Sequence, residues 1–355
     1  MAEVVLLERI GAQFPLRPPA NLAPGEQFPG IPFANLMSGG RTLIVKSVPS
    51  AEIAYGPRSV TVRDQAGRAV HSLSASLDPE WRGPSAAERQ AGQHHQRLIS
   101  LVPWTTRANY CHFVLQGMSA LHVFKSLDLF REGAALLVNA VFADKADEAA
   151  RLLGIDARIV VVGDRGVIRA DEYVCLEGLL HPAHWGHTDL IATFPRLKAA
   201  LGLPDQALGG RLFIKRPKGN RGFVNEADVL SLMRELDVKP VELDGMSLAD
   251  QARLFSAAEL VVAGHGAGLS NLVFCPPGSR VIEIHSRDYS IPTFWVMAQA
   301  MGLRYAALMD GRGPREYVEA RKFNDILAPI ETLRELICAD PEDPRFLLAS
   351  GSAGG

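Results

Sequence analysis

Over the first 80 residues apolar positions come in short alternating runs, at 41–47, 52–55 and 59–63, with Pro and Gly between them. A period of two broken by turn residues predicts brief strands. From Ser85 the pattern changes: a polar helix is expected over 85–97, a strand over 98–102, and over 109–125 a helix with apolar residues at helical spacing. A strand over 135–140, a helix over 145–153 and a strand over 158–162 follow. This alternation is the signature of a parallel sheet covered by helices. The pair His94-His95 falls on what reads as a solvated helix face.

Residues 181–204 are rich in His, Pro and Gly, carry a short helix at 190–201, and separate the first alternating region from a second. The second is cleaner. Strands are expected at 211–215, 239–243, 260–263, 281–285 and 305–309, with helices at 225–236, 248–257, 268–274 and 293–302, so nearly every connection is a crossover. Ser247 with Asp250 three residues on marks a helix start. A last helix is expected at 326–337, and the Gly/Ser tail 349–355 reads as disordered. The expected organisation is an α/β chain: a domain over 1–185, strand-rich to about residue 80 and α/β beyond, a second over 205–310, and a helical segment over 311–348.

A length of 355 residues suits two domains, each with its own core. With 47% hydrophobic and 21% charged residues, neither disorder nor a membrane class is favoured. No run reaches the roughly 18 apolar residues of a spanning helix, and residues 1–15 lack the basic flank and apolar stretch of a signal peptide. The net charge of −2 gives no reason to expect a nucleic-acid partner. Cys111, Cys175, Cys275 and Cys338 are far apart in sequence, with no close pair to suggest a metal knuckle or redox motif, so reduced cytoplasmic thiols are expected.

Candidate chemistry concentrates in the second region. Residues 260–271 read as a buried strand entering the turn Gly264-His265-Gly266-Ala267-Gly268 and then a short helix, Leu269-Ser270-Asn271. Glycines permit left-handed backbone and close approach, and amides at a helix start attract an anion. A tight packing turn would use the same glycines. Glu283, about 20 residues on, suits a ribose hydroxyl, or alternatively a plain strand-end carboxylate. Upstream, Lys215, Arg216, Lys218 and Arg221 crowd four cations into seven residues at a strand end, over the same rim as the glycine turn.

Arg216, Arg221, Asn225-Glu226, Gln251, Leu254-Phe255, Ala258, the 264–271 string, Phe274 and Glu283 together resemble the catalytic domain of family 61 glycosyltransferases. Asn109-Tyr110-Cys111-His112-Phe113 is similar to an Asn, aromatic and His segment of that family. The likeness covers roughly residues 100–340. It implies a GT-B-like architecture of two Rossmann-like domains facing each other across a cleft, the first on the acceptor side and the second binding the donor. It also implies a nucleotide sugar, UDP-linked, as co-substrate and inversion at the anomeric centre. The Lys-Arg start of the basic loop departs from the Ser-Arg common in the family.

An inverting transfer needs a base for the acceptor hydroxyl and a clamp for the departing diphosphate. The clamp falls to the amides of Gly266, Ala267, Gly268 and Leu269 with Arg216 and Arg221. Glu283 is assigned to the ribose, Asn225 and Glu226 to the donor side, and Ser270 or Asn271 to supporting the loop. His112, His184, His187 and His265 are candidate bases, His112 first. No Asp-X-Asp motif calls for a metal, and His181, His184 and His187, interrupted by Pro182 and Gly186, read as loop rather than as a ligand set. The expected role is surface or capsular polysaccharide assembly on a glycan or lipid-linked glycan acceptor, in the cytoplasm or peripheral at the inner membrane. Two other readings stay open: a nicotinamide-dependent oxidoreductase using the glycine turn, and a non-catalytic sugar-nucleotide-binding protein.

Overall fold

The computed structural model describes residues 3–10, 42–56, 59–76, 80–102, 109–177, 188–216, 221–312 and 325–346. The chain divides into two compact units that meet in sequence at Leu201 and Gly202.

The first unit is built on an eight-stranded mixed sheet. Its strands are β1 (Val4–Ile10), β2 (Thr42–Gly56), β3 (Ser59–Arg63), β4 (Ala75–Ser76), β5 (Gln93–Ser100), β6 (Ala134–Asn139), β7 (Arg158–Val162) and β8 (Gly166–Leu176). They run β4-β3-β2-β8-β5-β6-β7, with β1 beside β2. The set β8-β5-β6-β7 is parallel, and β2 joins β8 antiparallel from Val45↔Leu176 to Tyr55↔Gly166. The two runs expected at 41–47 and 52–55 are thus one strand. Pro49 and Ser50 interrupt the alternation, Ser50 with a left-handed φ of 49°, but pairing to β8 carries the strand through them. β8 itself was not expected, because Arg169, Asp171 and Glu172 disguise its apolar half.

Ser85 opens a much shorter helix than 85–97. Its hydroxyl accepts from Glu88 N, and the Glu88 carboxylate accepts from Ser85 N, a complete capping box, but the helix stops at Gln90. His94 and His95 therefore lie on β5, not on a helix. His94 is exposed against Asp171, while His95 is buried with Nδ1 2.8 Å from Arg158 Nη2. The helix expected at 109–125 is present as a composite. Asn109 caps it, a turn Tyr110–His112 leads into a π-helical stretch Phe113–Gly117, and Leu121–Ser126 ends it.

The second unit holds a five-stranded, all-parallel sheet of β9 (Gly210–Ile214), β10 (Lys239–Val241), β11 (Ala258–Gly264), β12 (Arg280–His285) and β13 (Arg304–Met309), in the order β10-β9-β11-β12-β13. Successive residues of a strand face opposite sides. Leu260, Val262, Ile282, Ile284, Ala306 and Leu308 pack on one side beneath the helices Glu226–Glu235 and Ile330–Cys338. That sets Glu283, His285 and Tyr305 on the other face, where the helices Leu248–Ser256 and Thr293–Ala300 belong. Ser247 Oγ accepts from Asp250 N, as its spacing predicts. The last helix begins at Ile330 rather than 326. Pro329 caps it, and Ile326 is held extended by backbone bonds to Gly222 and Val224. The tail 349–355 lies outside the described residues. Among the described residues no helix is long and apolar enough to cross a membrane, and none of the four cysteines is in a disulfide.

Gly117 brings the composite helix directly onto the end of β5, where an added Cβ would overlap the carbonyl oxygen of Leu101. Because that oxygen is backbone, relief requires moving the helix. Gly117→Ala is expected to cost about 2 kcal/mol, and Gly163→Ala, where a Cβ meets nothing within 4 Å, less than about 0.5 kcal/mol. Urea midpoints of the two variants check this.

Candidate functional site

In a sheet ordered β10-β9-β11-β12-β13 the order of strand addition reverses between β9 and β11, and the carboxyl ends of those two parallel strands open a crevice suited to a ligand. Lys215-Arg216 leave β9 at this point and the glycine turn leaves β11. A cavity of about 570 Å³ lies there, lined among others by Ile214, Arg216, Glu226, Leu243 and residues 266–269.

The glycines serve clearance, not left-handed turning. None of Gly264, Gly266 and Gly268 has a left-handed φ, and Gly266 is fully extended at 179°. A Cβ on Gly266 would overlap the guanidinium of Arg216, which lies across it and donates from Nη1 to His265 O at 2.8 Å. At Gly268 a Cβ would stand 3.1 Å from Leu243 and 3.2 Å from Ile214. The helix that follows is a 3₁₀ helix, Ala267–Phe274. Leu269 N donates to Gly266 O at 3.0 Å, so it drops out of the expected clamp. The amides of Ala267 and Gly268 precede that first bond, at the helix end that leaves donors outward. Ser270 and Asn271 have no exposure and do not line the cavity. Asn271 supports the loop, donating to Gln251 Oε1 (2.8 Å) and Gly268 O (3.2 Å), while Gln251 donates to Met246 O (3.2 Å).

Beneath the loop lies a buried polar chain. His265 Nδ1 is 2.5 Å from Glu283 Oε1, Tyr305 donates its hydroxyl to Glu283 Oε2 at 2.6 Å, His285 Nε2 is 2.9 Å from that hydroxyl, and Ser290 Oγ is 2.8 Å from His285 Nδ1. The contacts are all met with Glu283 ionised, His265 donating from Nδ1, and His285 donating from Nε2 and accepting from Ser290, or with a protonated Glu283 donating to His265 Nδ1. Burial, then the charges of Arg221 and Arg216, hold His265 well below the usual imidazole range. Burial likewise takes His285 down to about 4. For Glu283 burial pushes the pKa up, opposed by His285, by the Tyr305 hydrogen bond and by Arg221.

Two expectations are corrected here. Glu283 has zero exposure and both oxygens engaged, so it does not meet a ribose. His265 is 2% exposed, its ring packed among His285, Tyr289 and Phe294, so it fixes the loop rather than reaching an acceptor. His265, Glu283 and His285 also present ligand atoms within 4.8 Å of one another. Those atoms already bond to each other or to Tyr305, and two neighbouring guanidinium charges oppose a cation.

Arg216 and Arg221 stand close enough for the charge of Arg221 to act on Arg216, whose pKa burial first, and then Arg221, lower to about 10. Arg221 has a left-handed φ of 57° and lays its guanidinium 4.8 Å over the Tyr289 ring, away from the cavity lining. Asn225 is no donor-side ligand: its amide donates to Ala328 O (2.9 Å) and accepts from Ala328 N (3.0 Å), tying its helix to the segment before Pro329. Glu226 does line the cavity, and Lys215 pairs with Glu242 at 2.5 Å. In the first unit, His112 is partly buried with Nδ1 2.9 Å from Gln116 Oε1. His181, His184, His187 and Lys218 lie outside the described residues. Tyr305, His285, Ser290 and Tyr289 escaped sequence reasoning. The signal was present in Arg280–His285, where a Glu and a His two apart interrupt an otherwise apolar strand on one face.

Residues 110–282 match the family model described as Glycosyltransferase 61. The beta-1,2-xylosyltransferase of Arabidopsis thaliana is 36% identical over 63 residues, 18% of this chain and 12% of that protein. The human protein O-linked-mannose beta-1,4-N-acetylglucosaminyltransferase 2 is 29% identical over 145 residues, 35% of this chain and 25% of that one. An alpha-1,3-arabinosyltransferase of Oryza sativa subsp. japonica is 31% identical over 124 residues, 33% of this chain and 19% of that one. The matches thus span a quarter or less of these relatives' own lengths. The stretch that matches the Glycosyltransferase 61 model, residues 110–282, takes in both the helix opening at Tyr110 and the glycine loop.

Proposed function

We propose that this chain is an inverting glycosyltransferase that binds a nucleotide-diphosphate sugar, UDP-linked, with the diphosphate against Arg216 and the amides of Ala267 and Gly268. The observation that carries this reading is the partly buried Arg216 guanidinium, laid over Gly266 at the crevice of a parallel sheet and crowded by Arg221. Desolvating two like charges side by side is unfavourable, and a bound dianion offsets it. Support also comes from the relatives, each named as a transferase of a sugar.

In the transfer, the acceptor oxygen attacks the anomeric carbon from the face opposite the phosphate, the bond to the diphosphate breaks, and Arg216 meets the charge that develops there. With Glu283 removed from contact, Glu226, Glu242 and Asp244 are the cavity carboxylates placed for ribose or sugar hydroxyls. His112 is the base in this reading. With Nδ1–H donated to Gln116, its basic lone pair lies on Nε2, and burial lowers its pKa so that it is neutral at pH 7. The GT-B arrangement, an acceptor-side first unit and a cytoplasmic role in surface polysaccharide assembly on a glycan or lipid-linked glycan belong to the same proposal. What supports the architecture is that each unit has parallel α/β pairing of its own.

Calorimetry with UDP and with NAD decides between this reading and a nicotinamide enzyme: UDP is expected to bind and NAD not, and the reverse result overturns the proposal. Arg216→Ala is expected to weaken UDP binding about 10- to 100-fold, the range of a charge-assisted hydrogen bond. Gly266→Ala should weaken it in the same direction, because the new methyl displaces that guanidinium. For the base, UDP release from a panel of UDP-sugars is expected to fall about 100-fold in His112→Ala with UDP affinity unchanged. A base must be neutral to act, so activity falls as pH drops through the depressed pKa. The acid limb of kcat/KM is therefore expected below 6.5, the ordinary imidazole value.

A further inference from the structure

We propose that Tyr305 and His285, which touch no substrate, are positioning residues for the donor phosphates, acting through Glu283 and His265 on the loop that holds Arg216. The inference rests on the donor-site reading above.

The route is a sequence of contacts. Arg216 is aimed by the backbone carbonyl of His265. The His265 backbone is fixed on one side by its amide, which donates to Ile284 O at 2.8 Å, and through its side chain by Glu283. Tyr305, from the neighbouring strand, donates to the second oxygen of Glu283 while the first faces His265, so the carboxylate is held at both ends. His285 and Ser290 fix the tyrosine hydroxyl in turn. The groups facing Glu283 are therefore His265 from the loop after β11, His285 from its own strand, Tyr305 from β13, and Arg221, whose charge acts on it from the loop after β9. Phe294 of the helix Thr293–Ala300 and Tyr289 close over the His265 ring, so the chain has no solvent to repair a missing bond.

Removing the Tyr305 hydroxyl frees the Glu283 carboxylate to rotate. His265 then loses a fixed partner, and its carbonyl no longer holds Arg216 at one position. A displacement of this kind is felt as lost ligand affinity, because charge-assisted contacts depend steeply on placement.

The test measures UDP affinity by calorimetry for the wild type, Tyr305→Phe, Arg216→Ala and the double variant, each well below its melting temperature. Tyr305→Phe is expected to weaken UDP about tenfold, and to add less than about twofold in the Arg216→Ala background, because both changes act through one guanidinium. His285→Leu, which cannot donate to the tyrosine hydroxyl, is expected to weaken UDP in the same direction and serves if Tyr305→Phe does not fold. If Arg216→Ala weakens UDP but Tyr305→Phe or His285→Leu only lowers the melting temperature, leaving affinity within twofold, the positioning role is wrong and the donor site stands. Full additivity of the two variants overturns the positioning role as well. If Arg216→Ala binds UDP as the wild type does, the donor-site reading itself fails.

Discussion

A carboxylate with no solvent contact survives only if each oxygen accepts hydrogen bonds and a cation stands near. Glu283 meets that demand, and much of the second unit is arranged around it. His265 must be neutral and protonated at Nδ1 to donate to it, which places the imidazole under the loop rather than in the cavity. With the ring turned inward, the His265 carbonyl is the group that receives Arg216. Once the guanidinium crosses at that point, the next residue can carry no side chain, and it is Gly266. The loop's composition follows from one buried charge.

The architecture of the second unit was largely legible because most of its strands are runs rich in apolar residues and the helices Glu226–Glu235, Leu248–Ser256 and Ile330–Cys338 are amphipathic. The five strand positions and the Ser247 start required no tertiary information. The role of Glu283 did not follow from the same reading. Its distance from Gly264 suits a ribose ligand, but the strand period that places Val281, Glu283 and His285 on one covered face says nothing of whether a helix lies over them. Only Thr293–Ala300, packed there, makes the difference between a ligand and a buried acceptor. Asn225 is a similar case: a polar residue at a helix start near the crevice, captured by Ala328 from a segment about 100 residues later.

In the first unit the sequence misled where charge sat on a strand. Arg169, Asp171 and Glu172 on β8 and His94, Gln96 and Arg97 on β5 look like exposed helix or loop, yet these strands are neighbours and answer each other: Arg97 pairs with Glu172 at 2.6 Å and His94 with Asp171 at 2.9 Å. Cross-strand polar contacts such as these stabilise a sheet without an apolar pattern. Local propensity cannot register them, because the partners are about 75 residues apart.

The conformation of the glycine loop bears on which force would hold an anion there. In a dinucleotide fingerprint the glycines supply a tight turn into a long α-helix, whose aligned peptides attract the phosphates. Here the turn is not left-handed at any of the three glycines, and the helix is an eight-residue 3₁₀ segment with poorer hydrogen-bond alignment. A helix terminus contributes about 0.3–1 kcal/mol to an anion, while a hydrogen bond to a charged group contributes about 1.5–3 kcal/mol. For an anion bound as proposed, the guanidinium of Arg216 would therefore attract it more strongly than the helix end, and the amides of Ala267 and Gly268 would add direction. That ordering makes the buried chain behind His265 consequential: a site that relied on helix amides would tolerate a loose carbonyl at His265, whereas one that relies on a single arginine does not.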